Sequence, residues 1–150
     1  MREWGFTLVE LVITIAIIGI VALIAVPRIG QSLAQRDLDN TARQLAADIR
    51  WLQQQAVNAG DDGTAALYTI TFANGSPYGY SITYGSQSLK YVTYPSRVIT
   101  TGTLSPITFT AAGVPFAGGK TIVFEHTGIN RFENVFIEPV VGRVRVGPIH

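Results

Sequence analysis

The sequence predicts an α+β protein, in which a long N-terminal helix packs on a mostly antiparallel β domain of about seven strands. Three observations support this fold class. Residues 6–26 are almost entirely apolar, residues 38–56 repeat apolar side chains at helical spacing, and residues 64–150 alternate with the period of strands. Because 150 residues provide room for one modest domain and an appendage, we expect no second core.

The first half of the predicted helix, residues 6–26, reads FTLVELVITIAIIGIVALIAV, and Glu10 is its only ionisable side chain. A helix of this length rises about 31 Å, which is enough to cross a bilayer. The run does not close with the pair of small residues typical of a secretory cleavage site. A plain signal anchor does not account for Glu10, because a carboxylate at bilayer depth costs about 2.5–3.5 kcal/mol. We therefore predict a transmembrane helix whose acid has a partner.

Residues 1–10, MREWGFTLVE, resemble the prepilin signal of type IV pilin-like proteins. The resemblance rests on Gly5, Phe6, the Thr-Leu pair that follows and Glu10, with the apolar run and Pro27 behind them. It implies that residues 1–5 are a leader, that prepilin peptidase cuts between Gly5 and Phe6, and that Phe6 is then N-methylated. The new α-amine would be positively charged near neutral pH. In the family, Glu10 pairs with this amine of a neighbouring subunit during filament assembly.

The same resemblance implies a localisation and a set of partners. We expect a single-pass protein of the cytoplasmic (inner) membrane, with a cytoplasmic N-terminus and an extracytoplasmic globular domain, that later enters an extracytoplasmic filament. Its expected partners are prepilin peptidase, the lipid bilayer, and other pilin or pseudopilin subunits through the N-terminal helix. Arg2 and Glu3 carry too little charge to set this orientation by themselves.

Residues 27–60 form the amphipathic half of the predicted helix. Pro27 is expected to kink or restart the helix, because it has no amide proton for the preceding turn. The segment ends at the turn signal of residues 60–63, Gly-Asp-Asp-Gly. Its apolar seam is Leu38, Thr41 with Ala42, Leu45, Ile49, Leu52 and Ala56, and the polar residues between them are Arg36, Asp39, Arg43, Arg50 and Gln53.

Residues 64–150 are predicted to form the globular β domain. A hairpin is expected from residues 68–72 and 80–84, because both alternate apolar and polar residues and Asn74-Gly75 lies between them. The other strand candidates are residues 89–93, 107–110, 121–125, 134–138 and 142–146.

Within the pilin-like proteins, this second half resembles the GspH/FimT group of minor pilins and pseudopilins. The matching segments are ITFTAAG at residues 107–113 with Pro115, TIVF at 121–124 and GRVRV at 142–146. The resemblance implies a structural subunit of a type II secretion pseudopilus or a type IV pilus. The sequence does not distinguish these two machines.

The alternative function is that of a competence-type minor pilin that binds extracellular DNA through Arg143 and Arg145, with Lys120 and Arg131 as further candidates for the same patch. Some relatives with a Gly-Arg-x-Arg ending bind DNA, and paired arginines on one face of a strand are suited to phosphate oxygens. The other interpretation of the pair is a structural strand with a solvated face, or one paired with acids such as Glu133 or Glu138.

We expect no enzyme, no cofactor and no metal site. The chain has no cysteine, and its net charge of +1 gives no strong global attraction to nucleic acid. His126 and His150 lack metal-ligand spacing and are expected at the surface or the terminus. The phosphate-loop-like segment GVPFAGGKT at residues 113–121 leads into a strand instead of a helix, and we interpret it as a turn.

Overall fold

The computed structural model describes residues 6–60, 63–102 and 104–147, with residues 24–28 described by their backbone alone. It confirms the α+β class: one long helix is followed by a short 3-10 helix at Ala65–Leu67 and, among the described residues, by seven strands. The helix, α1, is Leu8–Ala59, and the strands are β1 Tyr68–Ala73, β2 Gly79–Tyr84, β3 Gln87–Thr93, β4 Val98–Thr100, β5 Lys120–His126, β6 Arg131–Ile137 and β7 Val144–Gly147.

The strands form two antiparallel sheets. The first has the order β1-β2-β3 and the second the order β4-β5-β6-β7, so that chain neighbours are also spatial neighbours within each sheet. The predicted hairpin is present, with Tyr68 opposite Tyr84 and Ala73 opposite Gly79. Both sheets contact α1, and the contacts with the second sheet involve β5, β6 and β7.

Helix α1 begins after Thr7, whose Oγ1 accepts a hydrogen bond from the backbone N–H of Glu10 at 3.2 Å. It ends at Gly60, whose φ of 70° is one that glycine adopts readily. Its 52 residues extend about 78 Å. The helix runs through Pro27 without a break, so of the two effects expected at Pro27, a kink or a restart, the restart does not occur. A proline removes a single backbone hydrogen bond, and a long helix can continue around that loss.

The predicted apolar seam of α1 is the centre of the core. Leu38, Ala42, Leu45, Ile49, Leu52 and Ala56 are each at most 2% exposed. They pack against fully buried side chains of the two sheets, among them Ile70, Ile82, Ile122, Phe124 and Val135. The part of the amphipathic half from Leu38 to Ala56 therefore belongs to the globular domain.

The strand predictions fail at two positions. Residues 107–110 do not form a strand, since Ile107 and Phe109 make only isolated bridges, to Ile70 and to Pro115. A turn follows this segment, in which the backbone N–H of Thr110 donates to the carbonyl oxygen of Val114. This turn prevents a longer run of hydrogen bonds to a neighbouring strand. Conversely, Val98–Thr100 was not predicted and forms the edge strand β4, paired with β5.

Among the residues described, no helix combines the length and the apolar character needed to cross a bilayer. The predicted transmembrane helix of residues 6–26 is thus not confirmed.

Candidate functional site

The N-terminal half of α1 carries apolar side chains that the rest of the described chain does not cover. Every described side chain from Phe6 to Leu23 is exposed. Phe6 is 74% exposed, and Leu8 and Leu23 are each 78% exposed. An apolar surface of this extent marks an interaction site in a folded protein. Gly5, the predicted cleavage residue, lies outside the described residues.

Glu10 lies in the first turn of α1. Its carboxylate is exposed and makes no ion pair with any residue in the described part of the chain. The helix N-terminus favours an acid at this position, but only by a modest amount at an exposed site. Within the described residues, Glu10 therefore has only the helix N-terminus to favour its charge.

Arg143 and Arg145 share one acid. Atom Nη2 of Arg143 lies 2.8 Å from Oε1 of Glu138, and Nη2 of Arg145 lies 2.9 Å from the same oxygen. The hydrogen bond and the charge of Arg143 lower the pKa of the Glu138 carboxyl, and that carboxyl in turn raises the pKa of Arg143. The two arginine side chains remain 64% and 62% exposed. The pair is thus both acid-bound and open to solvent.

A glycine positions this pair. Gly142 has a φ of 63°, and a Cβ atom on it would lie 2.3 Å from the carbonyl oxygen of Gly113. The same carbonyl accepts a 2.7 Å hydrogen bond from Nε2 of Gln53 on α1. The loop before β7 therefore packs closely on the helix, and a larger residue would displace Arg143 and the start of the strand that carries Arg145.

Lys120 and Arg131 do not join the pair. The ammonium of Lys120 donates to the carbonyl oxygens of Ser105 and Pro106 at 3.0 and 2.6 Å and to the Ser105 hydroxyl at 2.6 Å. Burial lowers the pKa of Lys120, so this side chain holds a loop. Arg131 lies at the start of β6, opposite His126, in a cleft beside α1.

A polar network links α1 to the first sheet. The hydroxyl of Tyr80 donates to Oδ2 of Asp48 at 2.5 Å, and Nζ of Lys90 lies 2.7 Å from both oxygens of this carboxylate. Tyr80 is fully buried. Desolvation and, next, the hydrogen bond to Asp48 raise the pKa of Tyr80 far above its ordinary value. The tyrosine is therefore neutral over the physiological range.

His126 is buried, so its predicted surface position is wrong. Its Nδ1 accepts a 3.1 Å hydrogen bond from the backbone N–H of Gly128, which holds the turn between β5 and β6. The described residues contain no group of three or more His, Asp or Glu arranged to hold a metal ion. The segment of residues 113–121 leads into β5, as predicted.

The chain was compared with protein families, curated proteins and solved structures. Residues 5–26 match the family model described as the prokaryotic N-terminal methylation motif. The comparisons with curated proteins and with solved structures found no match. The chain thus carries a prepilin-type methylation motif that extends into a long helix, and a β domain follows this helix. This combination is consistent with a type IV pilin-like protein.

Proposed function

We propose that the chain is a minor pilin or pseudopilin, a structural subunit of a type II secretion pseudopilus or a type IV pilus. The observation that supports this most directly is the contrast within α1. Its second half is embedded in the β domain, while its first half exposes apolar side chains beyond that domain. Packing of such helices against one another would cover this surface and leave the β domains outside.

Processing by prepilin peptidase belongs to this proposal. Removal of residues 1–5 would leave Phe6 with a charged α-amine one turn before Glu10. Two opposite charges in an apolar bundle are costly until they meet. We infer that the helix is held in the cytoplasmic membrane before assembly, with the β domain outside, and that Glu10 pairs with the amine of a neighbouring subunit.

Intact-mass spectrometry of the protein extracted from cells with the peptidase tests the processing step. We expect a chain that begins at N-methylated Phe6. The same protein from cells without the peptidase is the control and should retain residues 1–5. A mature form that keeps these residues in the presence of the peptidase would refute the proposal.

Replacement of Glu10 tests assembly. Glu10→Leu should insert into the membrane at least as well as the wild type, because the carboxylate is unfavourable in lipid, but should enter filaments poorly. Cross-linking between subunits and recovery in sheared filaments measure incorporation. Val9→Leu is the matched control, since it changes the neighbouring position without altering charge. Normal incorporation of Glu10→Leu would rule out the charge pair.

A second candidate function is DNA binding by a competence-type minor pilin, through Arg143 and Arg145. The observation in its favour is that both guanidinium groups stay mostly exposed although they share Glu138. Arginine forks bind phosphate oxygens well, and such contacts carry little sequence information. The test is a salt titration of DNA affinity with Arg143→Gln plus Arg145→Gln. Loss of two phosphate contacts should flatten the log-log slope by about two units.

A further inference from the structure

Three arginines of α1 lie on the same side of the helix. Arg36, Arg43 and Arg50 are seven residues apart, and since seven residues are close to two helical turns, their side chains follow one face. Each step advances about 10.5 Å, so the row is about 21 Å long. These residues belong to the part of the helix that is fixed on the β domain.

Two clefts beside the helix follow this row and meet at Arg43. The first has a volume of about 750 Å³ and is lined by Arg36, Arg43 and Arg131 among others. The second has a volume of about 430 Å³ and is lined by Arg43, Arg50 and Arg145 among others. Their opposite wall is formed by β7, the last strand of its sheet, through Val146. We call the continuous channel, lined by Arg36, Arg43, Arg50, Arg131 and Arg145, the arginine groove.

The acids near the groove do not cancel its charge. Asp39 binds Arg43 through Nε alone, at 2.9 Å to both carboxylate oxygens, which leaves the two terminal nitrogens of this exposed guanidinium available. Glu133 lines the first cleft. Glu138 is shared by Arg145 and Arg143 outside the groove. The five arginines of the groove are thus balanced by three carboxylates, those of Asp39, Glu133 and Glu138. Because Glu138 also pairs with Arg143, the groove keeps a net positive charge.

One acid of the groove, Glu133, is held more readily in its protonated form than an ordinary glutamate. Burial and the neighbouring charge of Asp39 raise the pKa of Glu133, and Arg43 opposes this shift only in part. The groove therefore becomes more positive as the pH falls toward the range in which Glu133 titrates.

Addition of a partner strand to the edge of β7 is not favoured by this geometry. One Nη of Arg50 donates to the carbonyl oxygen of Val144 at 2.9 Å. Because Val144 is the first residue of the strand, the arginine occupies the edge where a new ladder would begin. A ligand of the groove must instead bind through the arginine guanidinium groups that line it.

We propose that the arginine groove binds the phosphodiester backbone of DNA. This inference rests on the second candidate function and places the binding surface mainly on α1, where Arg36 and Arg43 replace Arg143 as the principal contacts. The row of 21 Å corresponds to about six phosphates of one strand at about 3.4 Å each. Phe132, 40% exposed and lining the first cleft, offers a face on which an unpaired base can stack.

The test measures the affinity of the full chain, in a non-ionic detergent, for fluorescein-labelled single-stranded and duplex DNA of mixed sequence at several salt concentrations. We expect Arg36→Gln plus Arg43→Gln to weaken binding and to reduce the log-log salt slope by about two units. Arg50 is left intact because it also holds β7. Arg143→Gln removes an equally exposed arginine outside the groove and should reduce the slope by less than one unit.

The outcomes separate the two proposals. Undetectable binding by the folded wild type at low salt would refute DNA binding as a function, and the groove with it. Binding that Arg36→Gln plus Arg43→Gln leaves unchanged, while Arg143→Gln plus Arg145→Gln abolishes it, would refute the groove alone. Equal affinity for poly-glutamate at matched charge would refute nucleic acid as the ligand. Thermal melts of each variant establish that it is folded.

Discussion

The two halves of α1 have similar backbones and opposite surroundings. From Phe6 to Leu23 every described side chain is exposed, including large apolar ones such as Ile13 and Ile18. From Leu38 to Ala56 the apolar seam is at most 5% exposed. The difference lies in pattern, because the first half is apolar on all sides whereas the second alternates an apolar stripe with charged residues.

This comparison separates the residues that stabilise the monomer from those that remain for other interactions. Burial of apolar surface contributes about 25 cal/mol per Å². Of the two halves of α1, only the second obtains this contribution within the described chain. Substitutions in the two halves should therefore affect different measurements: unfolding of the β domain for one, and membrane or filament association for the other.

The largest effect on folding is expected from Leu45→Ala. Leu45 lies on the face of α1 that packs on the sheets, and it is fully buried. Truncation of such a leucine lowers the free energy of unfolding by about 2–5 kcal/mol, depending on how far the cavity relaxes. Leu11→Ala is the matched control, since Leu11 is 54% exposed and should leave the free energy of unfolding unchanged. Denaturant titration of the detergent-solubilised protein, followed by tryptophan fluorescence, measures both. Equal destabilisation by the two variants would contradict the division of the helix.

A smaller loss is expected from Tyr80→Phe. The change removes the hydroxyl that donates to Asp48 and thereby weakens a link between α1 and β2. Hydrogen bonds to charged groups contribute about 1.5–3 kcal/mol. Tyr84→Phe, in the same strand but partly exposed, should change the free energy of unfolding by no more than about 0.5 kcal/mol. If both variants unfold at the wild-type midpoint, the Asp48 network does not stabilise the domain.

Much of the fold could be predicted because its signals are local. The seam from Leu38 to Ala56 and the hairpin around Asn74-Gly75 follow from periodicity and turn chemistry within a few residues. The bridge between Ile107 and Ile70 and the short strand Val98–Thr100 depend on distant partners. His126 was misplaced for a similar reason, since its burial depends on tertiary packing that its neighbours in sequence do not reveal.

The candidate sites differ in the same way. The motif around Gly5, Phe6 and Glu10 is contiguous and could be recognised from the sequence. The arginine groove could not, because Arg50 meets Val144 across 94 positions of the chain. A signal was nevertheless present, since the seven-residue spacing of Arg36, Arg43 and Arg50 already places them on one face of a helix.

The smallest effect is expected at the exposed edge of the β domain, from Glu138→Gln. Because Arg143 lowers the pKa of Glu138, the ionised carboxylate stabilises the folded state, and this contribution is lost as the pH falls through the lowered pKa. The variant should thus melt slightly below the wild type at about pH 7. The gap should close at acid pH, once the pH is below the lowered pKa of Glu138 and the carboxyl is protonated. Exposed ion pairs are weak, so the shift should be far smaller than that of Leu45→Ala and should shrink further in high salt. Glu125→Gln, on β5 and without an ion pair among the described residues, is the control and should show no such pH dependence. A gap that persists at acid pH would show that Glu138 acts through packing instead of through its charge.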